Sequence, residues 1–298
     1  MCGLFGMVLP HRYPADLLDR EDAVSLLGAL AEERGRDSSG VAMRLRTKPE
    51  WLLERHIGPF KEMARQRRLH PATAATTVLG HTRWATQGDV TLANASPTVA
   101  GRLLGTHNGD LTIDTIPFSP VSVDPSWTDS RVLFEALATA HRGGRANTRR
   151  MVAILSQMQG RAAVAWTDMP DERVWLARAG LSPLAVAHDV DGGVWWASNP
   201  EWLRLLSTIF DLPMRRIGLL PEGRLLSLTP QQWQVKVTVH AQFKPTVRRR
   251  DLRLIRGAVW RNFTPADRRD DAEVMRHRVS GPHAGAAVSN HRSLVGLP

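Results

Sequence analysis

A single cysteine serves all 298 residues, and it stands at position 2. With no second thiol, no intrachain disulfide can staple the fold, so stability has to come from a buried apolar core. The length allows one large domain or two small ones. An apolar share of 43% is that of an ordinary globular chain. The position of the thiol matters as much as its solitude. Once Met1 is removed, Cys2 carries a sulfur nucleophile and a free α-amine on one residue. An α-amino pKa of about 8 leaves about a tenth of that amine unprotonated at neutral pH. A nucleophile with its base built in is the N-terminal variant of Ser-His logic. On position alone, an incidental small apolar side chain is an equal reading.

Several classes are set aside by composition. No apolar run approaches the length of a membrane span. The opening stretch MCGLFGMVLPHRY has neither a basic leader nor a long apolar core, so no signal peptide is expected. A lone cysteine fits a reducing compartment, and the expected location is cytoplasmic. The net charge of +10 is unevenly placed. Ala241 to Pro298 holds 12 basic and five acidic residues, net +7, against net +3 for the 240 residues before it. A basic tail of this kind can bind nucleic acid or an acidic partner by non-specific electrostatics. The competing reading is a solvated, solubilising tail.

The apolar pattern gives an α+β chain. Leu4 to Val8 reads as a buried strand directly after Cys2. Glu21 to Arg34 has helical spacing and is stopped by Gly35. Strands are expected at Gly40–Leu45, Trp51–Ile57, Ala75–Gly80 and Leu103–His107. The last of these should end at the turn pair Asn108-Gly109. Helices follow at Asp129–Ala140 and Arg150–Met158. Strands at 162–168, 173–179, 184–188 and 194–198 precede a helix at 201–210 and a strand pair at 224–228 and 233–239. After His240 the pattern weakens, with one amphipathic stretch at Leu252–Trp260. The expected division is therefore residues 2–240 as one domain and 241–298 as a basic extension.

Five short segments carry candidate chemistry: Met1-Cys2-Gly3-Leu4-Phe5-Gly6, Arg34 to Gly40, His81-Thr82-Arg83-Trp84-Ala85-Thr86-Gln87-Gly88, Thr106-His107-Asn108-Gly109, and Thr128-Asp129-Ser130. In order and approximate spacing they resemble the glutaminase domain of class II glutamine amidotransferases. The resemblance is nearest to the glutaminase half of glucosamine–fructose-6-phosphate aminotransferase. It runs from Cys2 to about Val239 and takes in Gly180-Leu181-Ser182-Pro183-Leu184 and Ala197-Ser198. It implies the Ntn-hydrolase fold, a four-layer αββα sandwich, here with a basic C-terminal appendage.

The resemblance also assigns roles. Glutamine is the implied substrate. Arg83 would clamp its α-carboxylate, which suits a guanidinium fork, and Asp129 its α-ammonium. Trp84 and Thr86 belong to the segment that covers the bound substrate. Cys2 would attack the side-chain amide to give a γ-glutamyl thioester. Asn108 and the Gly109 N–H would form the oxyanion hole. Arg34 is expected to support the Cys2 loop, and His81 and His107 to be structural. No metal or cofactor is implied. Each residue also has a plainer reading: Arg83 as a surface ion pair, Asp129 as a helix N-cap, Asn108-Gly109 as a turn, Trp84 as packing.

Two residues depart from the family pattern, Gln87 and Ser96, where the sugar-forming relatives carry histidines. The segment Ile113–Trp127 is also unlike its usual helix-forming counterpart. No ATP-binding loop or cysteine set for an iron–sulfur cluster is present. The expected partner is therefore a separate ammonia-accepting synthase, with the basic tail as a docking element. Two alternatives stand beside this: a hydrolase of another γ-glutamyl amide, and a non-catalytic binding or regulatory module.

Overall fold

The apolar run after Cys2 forms β1 (Gly3–Val8), and every residue of it is buried. The run is continuous because both faces of the strand are covered. Phe5 and Met7 pack toward helices, while Leu4 and Val8 pack toward a second sheet. The computed structural model describes residues 2–14, 19–46, 48, 50–118, 123–142, 145–246 and 248. The expected stretch Leu252–Trp260, and the rest of the extension from residue 249, lie outside the described residues.

After β1 come α1 (Arg20–Ala31), β2 (Ser38–Leu45), β3 (Trp51–Ile57), α2 (Phe60–Arg65), β4 (Ala75–Arg83), β5 (Thr98–Ala100) and β6 (Leu103–Thr112). Then follow α3 (Asp129–Ala138), a small hairpin of β7 (His141–Arg142) and β8 (Arg145–Ala146), α4 (Thr148–Gln157) and β9 (Gln159–Asp168). The chain continues through β10 (Val174–Gly180), β11 (Ala185–Asp189), β12 (Val194–Ala197), α5 (Pro200–Ile209), β13 (Met214–Leu219), β14 (Arg224–Pro230) and β15 (Val235–Gln242). One antiparallel sheet has the order β13-β11-β12-β1-β4-β2-β3, and the other β15-β14-β10-β9-β6-β5.

Three apolar layers separate four structural ones. Val24, Leu27, Phe60, Trp202 and Leu203 from α1, α2 and α5 cover the outer face of the first sheet. Val132, Leu133, Met151 and Ile154 from α3 and α4 cover the second. Between the sheets lie Leu4, Val8, Leu79, Leu104, Ala163, Ala165 and Leu176. Strand β9 displays the period of two that makes this work: Ala162, Val164 and Trp166 face the helices, Ala163 and Ala165 the other sheet. This is the αββα order of the Ntn-hydrolase fold.

Four local expectations need correction. Asn108-Gly109 is not a turn: β6 runs on to Thr112, with Asn108 opposite Ala163 and Gly109 opposite Ala162. Ten consecutive pairings to β9 outweigh the local turn preference of two residues. Gly35 does end the helical stretch after Arg34, but not as a left-handed cap, since its φ is 178°. It is required by close approach, because a Cβ there would lie 2.4 Å from the Arg83 carbonyl carbon. The N-cap of α3 is Thr128, whose side chain accepts from the Arg131 N–H at 3.2 Å, so Asp129 is left for other partners. Finally, β13 has no counterpart among the expected strands. It is an edge strand of the sequence MRRIGL, with its arginines exposed and no alternation to read.

At the C-terminal end the last strand passes His240. Phe243 is buried in the core of the second sheet, and Thr246 pairs with Gln159.

Candidate active site

Cys2 sits at the N-terminal end of β1, at one rim of the sandwich. The two strands flanking β1 are β4 and β12. Antiparallel pairing sets Gly3 opposite Thr82, which brings the C-terminal end of β4, at Arg83, alongside Cys2. The Cys2 thiol donates to the Trp84 carbonyl at 3.7 Å. Arg34 donates from Nε to the Cys2 carbonyl at 2.9 Å. Burial draws its guanidinium pKa down to about 10. Burial also pushes the Cys2 thiol up, against the opposing hydrogen bond to Trp84, so the sulfur rests protonated at neutral pH. A base is needed to activate it.

The second sheet contributes β6. Asn108 is fully buried, and its Nδ2 lies 3.3 Å from the Ser198 hydroxyl. That hydroxyl also accepts from the Leu4 N–H at 2.9 Å, while the Ser198 N–H donates to the Leu4 carbonyl at 2.7 Å. Ser198 thereby ties the strand that carries Cys2 to the residue expected in the oxyanion hole. Asn108 Oδ1 is buried without a partner. An amide turned end for end is isosteric. In that orientation Ser198 donates to Oδ1, and the orphaned position becomes an unpartnered N–H donor beside the cleft.

One carbonyl along the same strand, His81 Nε2 donates to the His107 backbone oxygen at 2.9 Å, joining β4 to β6 across the sandwich. Burial lowers the His81 pKa to about 3 and lowers that of His107 as well, so both rings are neutral at physiological pH. His107 Nδ1 meets the Ser130 hydroxyl at 2.9 Å. These histidines join sheet to sheet and sheet to helix.

Asp129, the first residue of α3, is buried. Its Oδ2 accepts from the Leu111 N–H at 2.9 Å and its Oδ1 from the Ser130 N–H at 2.8 Å. Its carboxylate is thus fixed at the positive end of a helix, where negative charge is favoured.

Arg83 is buried too, and its guanidinium donates to three backbone carbonyls: Gln87 at 2.5 Å, Gly88 at 3.2 Å and Asp89 at 3.0 Å. It wraps the segment 84–89 around itself. That segment is also pinned by Asp37, which accepts from the Ala85 N–H at 2.7 Å. Trp84 is 57% exposed, and Thr86 is exposed at the rim. Gln87, at a position where the family pattern has histidine, donates from Nε2 to Asp110 Oδ1 at 2.7 Å and to the Leu111 carbonyl at 3.1 Å. Ser96, the other departure, lies buried in the same cleft.

Cys2, Arg83, Trp84, Thr86, His107, Gly109 and Asp129 all line this one cleft. Asn108 is next to it on β6, and Arg34 lies behind Cys2. A larger hollow of about 510 Å³ between Thr139 and Arg150 contains none of the expected residues. Among the described residues no His, Cys, Asp and Glu cluster could hold a metal ion. No helix among them is long and apolar enough to cross a membrane. Sequence reasoning missed Asp110 and Arg248. Asp110 could have been found by its period-two spacing from Asn108 on β6. Arg248 entered the sequence reading only as one of the 12 basic residues of 241–298.

No protein-family model matches the chain. Among curated proteins, the chain is 32% identical over 164 residues to the isomerizing glutamine–fructose-6-phosphate aminotransferase of Geobacillus kaustophilus. That match takes in 52% of this chain and 26% of that protein. The enzyme of the same name from Aliivibrio fischeri is 29% identical over 240 residues, 79% of this chain and 36% of that protein. Over the matched region the chain is similar to these glutamine-dependent aminotransferases. Among solved structures, glutamine phosphoribosylpyrophosphate amidotransferase from B. subtilis, complexed with ADP and GMP, superposes with a TM-score of 0.58 at 17% identity. It covers 84% of this chain and 52% of that one, a likeness of fold. The matched region is thus about a quarter to a third of the curated amidotransferases' length.

Proposed function

We propose that the chain is a glutaminase of the class II amidotransferase type, in which Cys2 hydrolyses the side-chain amide of glutamine to glutamate and ammonia. The observation that carries this reading is the convergence of Cys2, Arg83, Gly109 and Asp129 on one cleft from four separate segments. With Met1 removed, the α-amine of Cys2 takes the thiol proton. The thiolate attacks the amide carbon, and the resulting oxyanion is received by the Gly109 N–H and by Asn108 in its donor orientation. The amine returns its proton to the leaving ammonia, and water hydrolyses the γ-glutamyl thioester. The α-carboxylate of glutamine is held by Arg83, a group with five N–H donors, and the α-ammonium by Asp129.

The ammonia goes to a separate acceptor synthase in the cytoplasm, and the glutaminase domain reaches past the expected boundary at 240, since Phe243, Thr246 and Arg248 pack against it. The basic tail is a docking element for that synthase or for another acidic partner. A second reading, hydrolysis of a different γ-glutamyl amide, is favoured by Gln87 and Ser96, which change the cleft wall near the substrate backbone.

The deciding measurement is glutamate release from glutamine by the processed protein beside Cys2→Ala. The variant is expected to lose all release above background. Release that persists in Cys2→Ala, or no release from the parent even with an ammonia acceptor present, overturns the reading. Turnover of larger γ-glutamyl amides without turnover of glutamine selects the second reading.

A further inference from the structure

The most unexpected contact near the cleft comes from the basic end of the chain. Arg248 belongs to a run of three arginines that would ordinarily be a solvated face. Its side chain is instead only 10% exposed, against Asp110, which is 20% exposed. Its Nη2 donates to the Asp110 carboxylate, and to the Asp110 carbonyl at 3.0 Å, and its Nη1 donates to Thr112 Oγ1 at 3.2 Å. A largely buried ion pair is sustained only when further hydrogen bonds offset its desolvation, and these donors meet that condition. The approach of Arg248 is fixed by backbone. The Gly160 N–H donates to the Thr246 carbonyl at 3.0 Å, Thr246 Oγ1 donates to the Ser156 carbonyl at 3.2 Å, and Phe243 is buried.

The two oxygens of Asp110 face opposite ways in function. Oδ2 takes Arg248, and Oδ1 takes Gln87 Nε2 at 2.7 Å. The Gln87 carbonyl in turn accepts from Arg83 at 2.5 Å, and the Trp84 carbonyl accepts from the Cys2 thiol. Burial would push the Asp110 carboxyl up, but its bonds to Arg248 and Gln87 hold it below the ordinary range. An unbroken series of polar contacts thus joins the C-terminal segment to the wall of the cleft.

Resting on the glutaminase reading of the cleft, we propose that Arg248 is a positioning residue for substrate binding: it orients Asp110, which through Gln87 fixes the 84–89 segment around Arg83. Arg248 touches no reacting atom. It acts on affinity for the substrate backbone and not on the attack itself.

The test uses the full chain. Arg248→Ala should raise KM for glutamine by roughly three- to tenfold, the scale of one ordinary hydrogen bond lost from an indirect route. Its kcat should stay within about twofold, since the oxyanion donors are untouched. Arg248→Lys, which keeps the charge, should recover at least part of the loss. In a double-mutant cycle, Arg248→Ala added to Gln87→Ala should cost little beyond Gln87→Ala alone, because both act through one route. Amide hydrogen exchange at 84–89 should quicken in Arg248→Ala, and this readout does not depend on activity. Unchanged KM and unchanged exchange overturn the proposal, as does a loss of kcat and melting temperature at constant KM. If the parent protein releases no glutamate, the glutaminase reading falls, while exchange at 84–89 still decides the coupling.

Discussion

The floor of the cleft and its rim are held by different means. Asn108 and Gly109 on the floor lie within a ten-residue ladder between β6 and β9, and His81 and Ser198 cross-link that ladder to the opposite sheet. The rim segment 84–89 belongs to no sheet. It is fixed by side chains that reach its backbone, Arg83 and Asp37, and by Gln87 reaching Asp110. A ladder shares its load over many bonds, so its geometry is insensitive to any one of them. A segment held by single contacts can be displaced by losing one. The chemistry of acyl transfer needs fixed donors, whereas substrate entry needs a wall that can move.

Changes on the floor should therefore alter rate or folding, and changes at the rim should alter affinity. Beyond the nucleophile itself, the largest effect expected is that of Asn108→Ala on turnover, a fall in kcat of ~10²–10³ with KM little changed, the cost of one proposed oxyanion donor. Steady-state kinetics on glutamine decides it. A drop confined to KM would move Asn108 from the floor's chemistry to binding. Next, Gly109→Ala would bring a Cβ to 1.9 Å from the Arg161 carbonyl oxygen, which is backbone and cannot swing aside. A loss of about 3 kcal/mol is expected from such overpacking, read from urea unfolding. Stability equal to the parent's would show that the ladder is more pliant than its pairing implies.

A smaller effect concerns acid. Burial lowers the pKa of His81 from 6.5 to about 3, so the unfolded chain binds a proton there before the folded one does. Its contribution is fully present above pH 6.5 and is lost as pH falls toward 3. The slope is about 1.4 kcal/mol per pH unit for each such proton. The urea midpoint should fall through this window, and His81→Gln should flatten the fall. At the rim, the carboxyl of Asp110 is held below its usual range, so its tie to Arg248 should persist while the urea midpoint falls over the upper part of that window. Exchange at 84–89 accelerating before global unfolding in acid would reverse that order.

Much of this was legible in the chain. Apolar periodicity located β1, β2, β3 and most of the later strands to within a few residues, because a strand or helix buried in a four-layer sandwich must show apolar residues at the right spacing. The edge strand β13 left no such trace, since its arginines face solvent. The pair Asn108-Gly109 misled in the opposite sense. Its local chemistry is that of a turn, and only the pairing partner Ala162–Ala163, more than 50 residues away, makes it strand.

The sequence by itself determined the residue types and their order: a thiol at position 2, an arginine at 83, an Asn-Gly pair at 108, an aspartate at 129. Those types carry the chemistry wherever they are placed. Tertiary structure decided what each one touches. It gave the α3 cap to Thr128 and left Asp129 bound to Leu111. It closed Arg83 around the carbonyls of 87–89. It also brought Arg248 from a basic run to the carboxylate of Asp110. The physical reason is that a side chain's local preference is worth a fraction of the free energy of burying and pairing the strand that carries it. Where the two disagree, the long-range contact prevails, and it leaves no mark in the neighbouring sequence.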